Sequence, residues 1–200
     1  NIDMLAGPSE ILIIADHKAD PACLAADMMS QAEHDVLARS ILVSYDAVLL
    51  EEVEKEITRQ VTQLSRREII EKSLKDYGAL VLVKDIEEAC WVANKVAPEH
   101  LELMVEKPFE LLSEIRNAGA IFLGSNTPEP VGDYLAGPNH ILPTGGTARF
   151  YSPVTVDTFM KTSSIIYYSQ EGLEENADHI IKLAEVEGLT AHANCLRIRK

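Results

Sequence analysis

Short runs of consecutive apolar residues alternate along this chain with longer stretches in which apolar positions recur every three or four residues. Residues 11–15 (ILIIA) are apolar throughout, the pattern of a strand covered on both faces. Pro21 opens a helix that the spacing carries to about His34. SILVSY at 40–45 reads as the next strand, the charged stretch 49–64 as a long surface helix, 67–76 as another helix, and ALVLV at 79–83 as a third strand. Over 86–96, Ile86, Ala89, Cys90, Ala93 and Val96 fall at helical spacing. HLELMV at 100–105 and AIFLG at 120–124 are two further strands, with PFELLSEIRNA between them as a helix. Strands alternating with helices predict an α/β fold with a mostly parallel, Rossmann-like sheet flanked by helices.

The pattern breaks after Gly124. Residues 125–153 hold five of the nine prolines and no sustained periodicity, and a loop that long inside a domain is usually functional. Order resumes with a short helix near 153–160, the β-rich SSIIYY at 163–168, and helices at about 170–186 and 188–195. This divides the chain into an α/β domain over 1–152 and a small, mainly helical domain over 153–200.

Composition narrows the classes. Hydrophobic residues at 46% and charged residues at 25% of 200 suit a globular protein with a real core. The formal net charge of −14 argues against a nucleic-acid or anionic-membrane surface. No apolar run approaches the roughly 18 residues of a membrane span, and no signal-peptide pattern opens the chain. Cys23, Cys90 and Cys195 are odd in number and never form a C-x-x-C pair, which favours a reducing, cytoplasmic setting and argues against a thiolate metal site. A chain whose Asn1 already runs into a motif reads as a piece of something longer.

Polar residues collect in a few places. Open α/β sheets bind ligands beyond the carboxyl ends of their strands, and the clusters are expected there. GPSE at 7–10 offers the Ser9 hydroxyl, and SQAEHD at 30–35 puts Gln31 and His34 three apart on one helix face. APEH at 97–100 offers Glu99 and His100, GDY at 132–134 offers Asp133, GPNH at 137–140 offers His140, and the last helices offer Glu187 and His192. Each has a plainer reading: a frayed helix end for SQAEHD, a solvated strand entry for Glu99 and His100, turn or cap roles for Ser9, Asp133 and His140, and a surface acid and a structural histidine for Glu187 and His192. His17 and His179 lie in plain surface contexts. Together the clusters form a cysteine-free set of His, Asp and amide ligands suited to zinc or another borderline divalent ion, with a Glu-His pair for proton transfer. The chain carries no G-x-S-x-G elbow, G-x-G-x-x-G or Walker loop. The residues alone lead to a metal-dependent α/β enzyme and no further.

DMLAGPSE, SQAEHD, APEHLEL, GDYLAGPNHILPT and EGLTAH, in this order and at these separations, resemble histidinol dehydrogenase across essentially the whole chain. The resemblance covers the later part of the family's sequence; the preceding half supplies most of the family's NAD contacts. It implies that Gln31, His34, Asp133 and His192 hold one zinc ion per subunit, that His100 is the base for the alcohol proton, and that Glu99 activates a water. Substrate contacts would come from Ser9, His140 and Glu187 together with the ligands and His100. The implied reaction is the oxidation of L-histidinol to L-histidine through histidinal with two NAD. The family forms an intertwined homodimer, so Glu187 and His192 would serve the partner's site.

Three rival readings remain. One is a related zinc- and NAD-dependent dehydrogenase acting on another polar alcohol. The second is a non-catalytic zinc-binding dimerisation fragment. The third is a metallohydrolase, weakened by needing a zinc that activates water.

Overall fold

A computed structural model of the chain describes residues 4–200. The chain folds as two compact units, Asn1–Phe159 and Met160–Lys200. The first is built on five strands: β1 (Glu10–Ala15), β2 (Arg39–Ser44), β3 (Gly78–Leu82), β4 (His100–Met104) and β5 (Ala120–Leu123). They lie in the order β3-β2-β1-β4-β5, and every pairing is parallel. Four helices connect or cover them: α1 (Pro21–Ala32), α2 (Ala47–Gln60), α3 (Arg67–Tyr77) and α4 (Ile86–Val96). A short α5 (Glu129–Tyr134) lies within the segment read from sequence as an aperiodic loop.

β1 is central and its apolar run serves both faces. Ile11, Ile13 and Ala15 pack on one side with Leu24, Met28 and Val53. Leu12 and Ile14 pack on the other with Leu101, Leu103 and Ala89. Burying a side chain of this size contributes roughly 1.5–3 kcal/mol, which fixes the order and register of the central strands. Aspartates start three of the helices by accepting N-terminal backbone N–H groups: Asp20 from Ala22, Asp46 from Val48 and Leu49, and Asp85 from Glu88. α4 ends on Ala97, a non-glycine residue in the left-handed region at φ 53°. That residue turns the chain sharply through Pro98 into Glu99 and β4.

Three expectations of secondary structure fail. Residues 108–118 form only a 3-10 turn, Pro108–Leu111, because the Asn94 side chain competes for the backbone beyond it. Its Oδ1 accepts from the N–H groups of Arg116 and Asn117 at 2.7 and 3.1 Å, and its Nδ2 donates to the Glu114 carbonyl at 2.7 Å. The helix near 153–160 shrinks to a 3-10 turn, Val156–Phe159. SSIIYY is no strand: Ile165, Ile166 and Tyr167 are highly exposed, and no neighbouring strand pairs with them among the described residues.

The second unit is a helical hairpin of α6 (Gln170–Val186) and α7 (Thr190–Arg197). Ser169 caps α6 by accepting from the Gly172 N–H, and Gly188, at φ 75°, makes the turn between the helices. Among the described residues, no helix is long and apolar enough to cross a membrane.

Candidate functional site

The polar residues of the first unit gather at the amino ends of the strands, not beyond the carboxyl ends as expected. His100 is the first residue of β4 and lies opposite Ile11 and Ala120 in the neighbouring strands; Glu10 begins β1. At the carboxyl edge the acids are already engaged. Asp16 accepts the backbone N–H groups of Lys18 and Glu106 at 2.9 and 2.7 Å, and Lys18 is ion-paired with Glu106.

The centre of the cluster is His100, 4% exposed. Its Nδ1 lies 3.0 Å from the Glu10 carbonyl oxygen, which can only accept, so Nδ1 carries the proton. Nε2 therefore presents a lone pair, and it has no hydrogen-bond partner among the described residues. Burial, opposed by the Glu10 hydrogen bond and the Asp133 charge, pushes the imidazole pKa down. The ring is thus held neutral in the tautomer a base needs. Glu99 is fixed beside it by accepting the Glu10 N–H at 2.9 Å through Oε2. Burial, with the charges of Glu10 and Asp133 adding to it, raises the Glu99 carboxyl to about 7.

Facing this pair is α5. Glu129 and Asp133 lie one turn apart on the same face, and His100, Glu129 and Asp133 each offer a ligand atom within 4.8 Å of the others. Glu129 Oε1 is 3.9 Å from His100 Nε2, and the Glu129 N–H donates to Glu102 Oε1 at 2.9 Å. Burial and the nearby Asp133 raise the Glu129 carboxyl to about 8. Glu102, in the middle of β4, is pushed to about 8 by burial and by Asp27, and Asp27 in turn is raised to about 6, chiefly by burial. Gly132 lets α5 come this close: a Cβ there would meet Phe122 Cε1 at 2.6 Å, and the Phe122 ring lies 5.9 Å from that of His100.

α1 supplies the remaining wall. Gln31, in its last turn, has no exposed surface, yet neither amide atom reaches a hydrogen-bond partner among the described residues. Its amide faces Glu129 closely enough to favour the ionised carboxylate without attaining hydrogen-bond geometry. The helix ends at Ala32, so His34 lies in the turn after it, exposed, with its N–H on the Gln31 carbonyl at 3.1 Å. His34 lies close enough to influence the His100 imidazole electrostatically.

Leaving a buried amide unpaired costs roughly 1–3 kcal/mol, and such orphans call for an explanation. A divalent cation supplies one. Gln31 Oε1, the Asp133 carboxylate and a neighbouring imidazole are the nitrogen and oxygen donors a borderline cation takes, and no thiolate is among them. The residues present therefore fit a zinc-type ion.

Of the residues singled out from sequence, Gln31, His34, Glu99, His100 and Asp133 come together here. Ser9, half-buried, adjoins Glu10 and gives its carbonyl to the Arg39 N–H. His140 is exposed and lines a separate cleft with Pro138, Asn139 and Phe159. In the second unit, Glu187 caps α6 and shares an apolar cleft with His192 of α7, Leu183 and Leu189. Sequence reasoning passed over Glu10, Asp27, Glu102 and Glu129. Glu102 left a signal, a lone charge inside a strand buried at all five positions. Glu129, between two prolines, reads as an ordinary turn residue.

A family model described as histidinol dehydrogenase matches residues 1–200. Histidinol dehydrogenase of Heliobacterium mobile is 60% identical over 199 residues, an alignment spanning 100% of this chain and 47% of that protein. The enzyme of Aquifex aeolicus is 54% identical over 200 residues, again with 47% of its length covered. The crystal structure of histidinol dehydrogenase from Elizabethkingia anophelis superposes with a TM-score of 0.95 at 39% identity, covering 98% of this chain and 45% of that one. The chain spans about half the length of the curated relatives it matches.

Proposed function

The chain belongs to the histidinol dehydrogenase family, and on that premise we propose that it carries the metal and proton-transfer centre of an enzyme that oxidises L-histidinol to L-histidine through histidinal. Gln31, His34 and Asp133, with His192 contributed by a second copy of the chain, would hold zinc. The ion would supply a positively charged anchor for the amine and imidazole nitrogens of the substrate. NAD would be the oxidant, with its contacts outside this chain.

The chain's own residues provide the proton chemistry. His100, protonated at Nδ1 by its bond to Glu10, takes the alcohol proton at Nε2. Glu99, raised to about 7, accepts a proton from the water that adds to the aldehyde before the second oxidation. Both groups sit at one strand start, so a single bound substrate meets each in turn. Ser9, His140 and Glu187 would contact the substrate, and a homodimer would bring Glu187 and His192 to the partner's site. An acidic, cytoplasmic protein suits this biosynthetic role.

The observation that carries the reading is the fixed His100 tautomer, with an unpartnered Nε2 aimed at buried carboxylates and an orphaned amide. The test uses the full-length protein containing this chain. Zinc per subunit is measured after exhaustive dialysis on the wild type and on His34→Ala and His192→Ala, alongside histidinol turnover. About one equivalent, lost in both variants with activity, is expected. Zinc retained in both would sink the ligand assignment, and a zinc protein without histidinol turnover would favour a dehydrogenase of another polar alcohol.

A further inference from the structure

The backbone of Glu10 holds both members of the proton-transfer pair, and its side chain is buried as well, at 5% exposure. We propose that the Glu10 side chain is the positioning residue for that pair: by accepting the Gly145 N–H and a guanidinium N–H of Arg39, it braces the backbone from which Glu99 and His100 are held. This rests on the reading that Glu99 and His100 carry the proton chemistry.

The two groups share one anchor. The Glu10 N–H donates to Glu99 Oε2 at 2.9 Å, and the Glu10 carbonyl accepts from His100 Nδ1 at 3.0 Å. A rotation of the main chain at Glu10 therefore displaces the carboxylate's partner and the imidazole's partner together. Glu10 is the first residue of β1, and the ladder to β4 begins only at Ile11, so on that side no strand pairing holds it. Its own side chain does so instead. Oε1 accepts the Gly145 N–H at 3.2 Å and lies 3.3 Å from Nη1 of Arg39, the residue opposite Glu10 in β2. Gly145 belongs to a segment tied to the same stretch of chain, because the Thr144 hydroxyl accepts the Gly7 N–H and donates to the Leu5 carbonyl at 3.0 Å. Both donors to Glu10 need only an accepting oxygen, so the brace does not depend on the protonation of the carboxyl. The other five positions of β1 are apolar, and an apolar residue would be buried at the first with less cost. Misplacing a catalytic group by about 1 Å can slow a reaction on the order of 10²-fold.

The experiment uses the full-length protein containing this chain. Calorimetry with histidinol in the absence of NAD gives the affinity and the number of competent sites, and single-turnover rates of the two oxidations are then expressed per competent site. Glu10→Met keeps the length of the side chain and removes both acceptors; Glu10→Gln keeps a carbonyl oxygen for Gly145 and Arg39. Glu10→Met is expected to slow both oxidations at least tenfold while histidinol affinity changes by less than about threefold, and Glu10→Gln to recover most of that loss. A merely structural role would reduce the number of competent sites or the affinity and leave the rate per site unchanged, and that result overturns the proposal. So does a loss confined to one oxidation, because the anchor is common to both groups, and so does a Glu10→Gln protein as slow as Glu10→Met. If Glu10→Met does not fold, Glu10→Ala is read against Glu10→Gln in the same way. His100→Gln and Glu99→Gln are measured alongside. Wild-type rates of both oxidations in these two variants overturn the proton-chemistry reading itself, whereas slow rates in them beside an unimpaired Glu10→Met remove the positioning role alone.

Discussion

Replacing Gln31 by methionine should make the metal-free protein more stable and the zinc-loaded protein less so. Gln31 has no exposed surface and two unpartnered amide atoms, so the fold carries a desolvation cost of roughly 1–3 kcal/mol at this position. Methionine has nearly the same shape, and volume-conserving swaps cost less than about 1.5 kcal/mol. The approach to Glu129 recovers part of the amide's cost, which leaves a net gain of about 1–2 kcal/mol. At about 2–4 °C per kcal/mol for a chain of this size, the midpoint of thermal unfolding in chelator should rise by roughly 2–8 °C. Zinc at a hundred times its dissociation constant stabilises the wild type by about 2.7 kcal/mol. The variant should gain little from it, so the order of the two proteins should invert. Trp91, the single tryptophan, lies in the first unit and reports its unfolding by fluorescence. A Gln31→Met protein that is less stable than wild type in chelator by 1 kcal/mol or more would refute the reasoning, because the amide would then be satisfied in solution.

Gly132→Ala places a methyl 2.6 Å from Phe122 Cε1, so α5 or the ring must give way by about 1 Å. A stability loss of about 1–3 kcal/mol and at least tenfold weaker zinc binding are expected, both partly restored by adding Phe122→Leu. In chelator, Glu102→Gln should flatten the pH dependence of the urea midpoint. Glu102 and Asp27 have folded pKa values raised to about 8 and about 6, above those of the unfolded chain, so their contribution is fully present below about pH 4 and is lost as pH rises toward 8. An unchanged slope between pH 5 and 8 would show that these acids do not take up protons on folding. Glu99→Gln should leave the first oxidation intact in a single turnover while slowing histidine formation on the order of 10²-fold or more; equal loss in both steps would assign Glu99 a different role.

What the sequence made legible follows from where local and tertiary forces agree. β1 is read correctly because an apolar run too short for a helix has one good solution, a strand covered on both faces. Residues 108–118 mislead because their apolar spacing is helical, while Asn94, distant in sequence, offers the backbone better partners. SSIIYY has strand propensity, but a strand forms only against a neighbour, and none lies beside it among the described residues. The site was half legible. Gln31, His34, Glu99, His100 and Asp133 announced themselves as polar residues at element ends. Glu129 did not, since its role depends on a helix of six residues inside a proline-rich segment. The edge of the sheet was misjudged because the carboxyl-end rule describes where loops usually converge, whereas here the converging groups precede their strands.

That placement also sets when the centre can come into being. β4 does not lie next to β3 in the sheet; it inserts on the far side of β1, and the bond between His100 and Glu10 joins residues 90 apart. Closing such a loop is slow compared with forming the local helices. During synthesis α1, with Gln31 and His34, is complete long before the segment that gives it Glu99, His100, Glu129 and Asp133 has emerged. On the proposed reading a growing chain would hold its first ligands with no pocket around them, and the cluster would assemble only once β4, β5 and α5 had followed. Metal capture would in this sense be a late checkpoint on the topology, available to chains that have docked β4 beside β1 and withheld from those that have not.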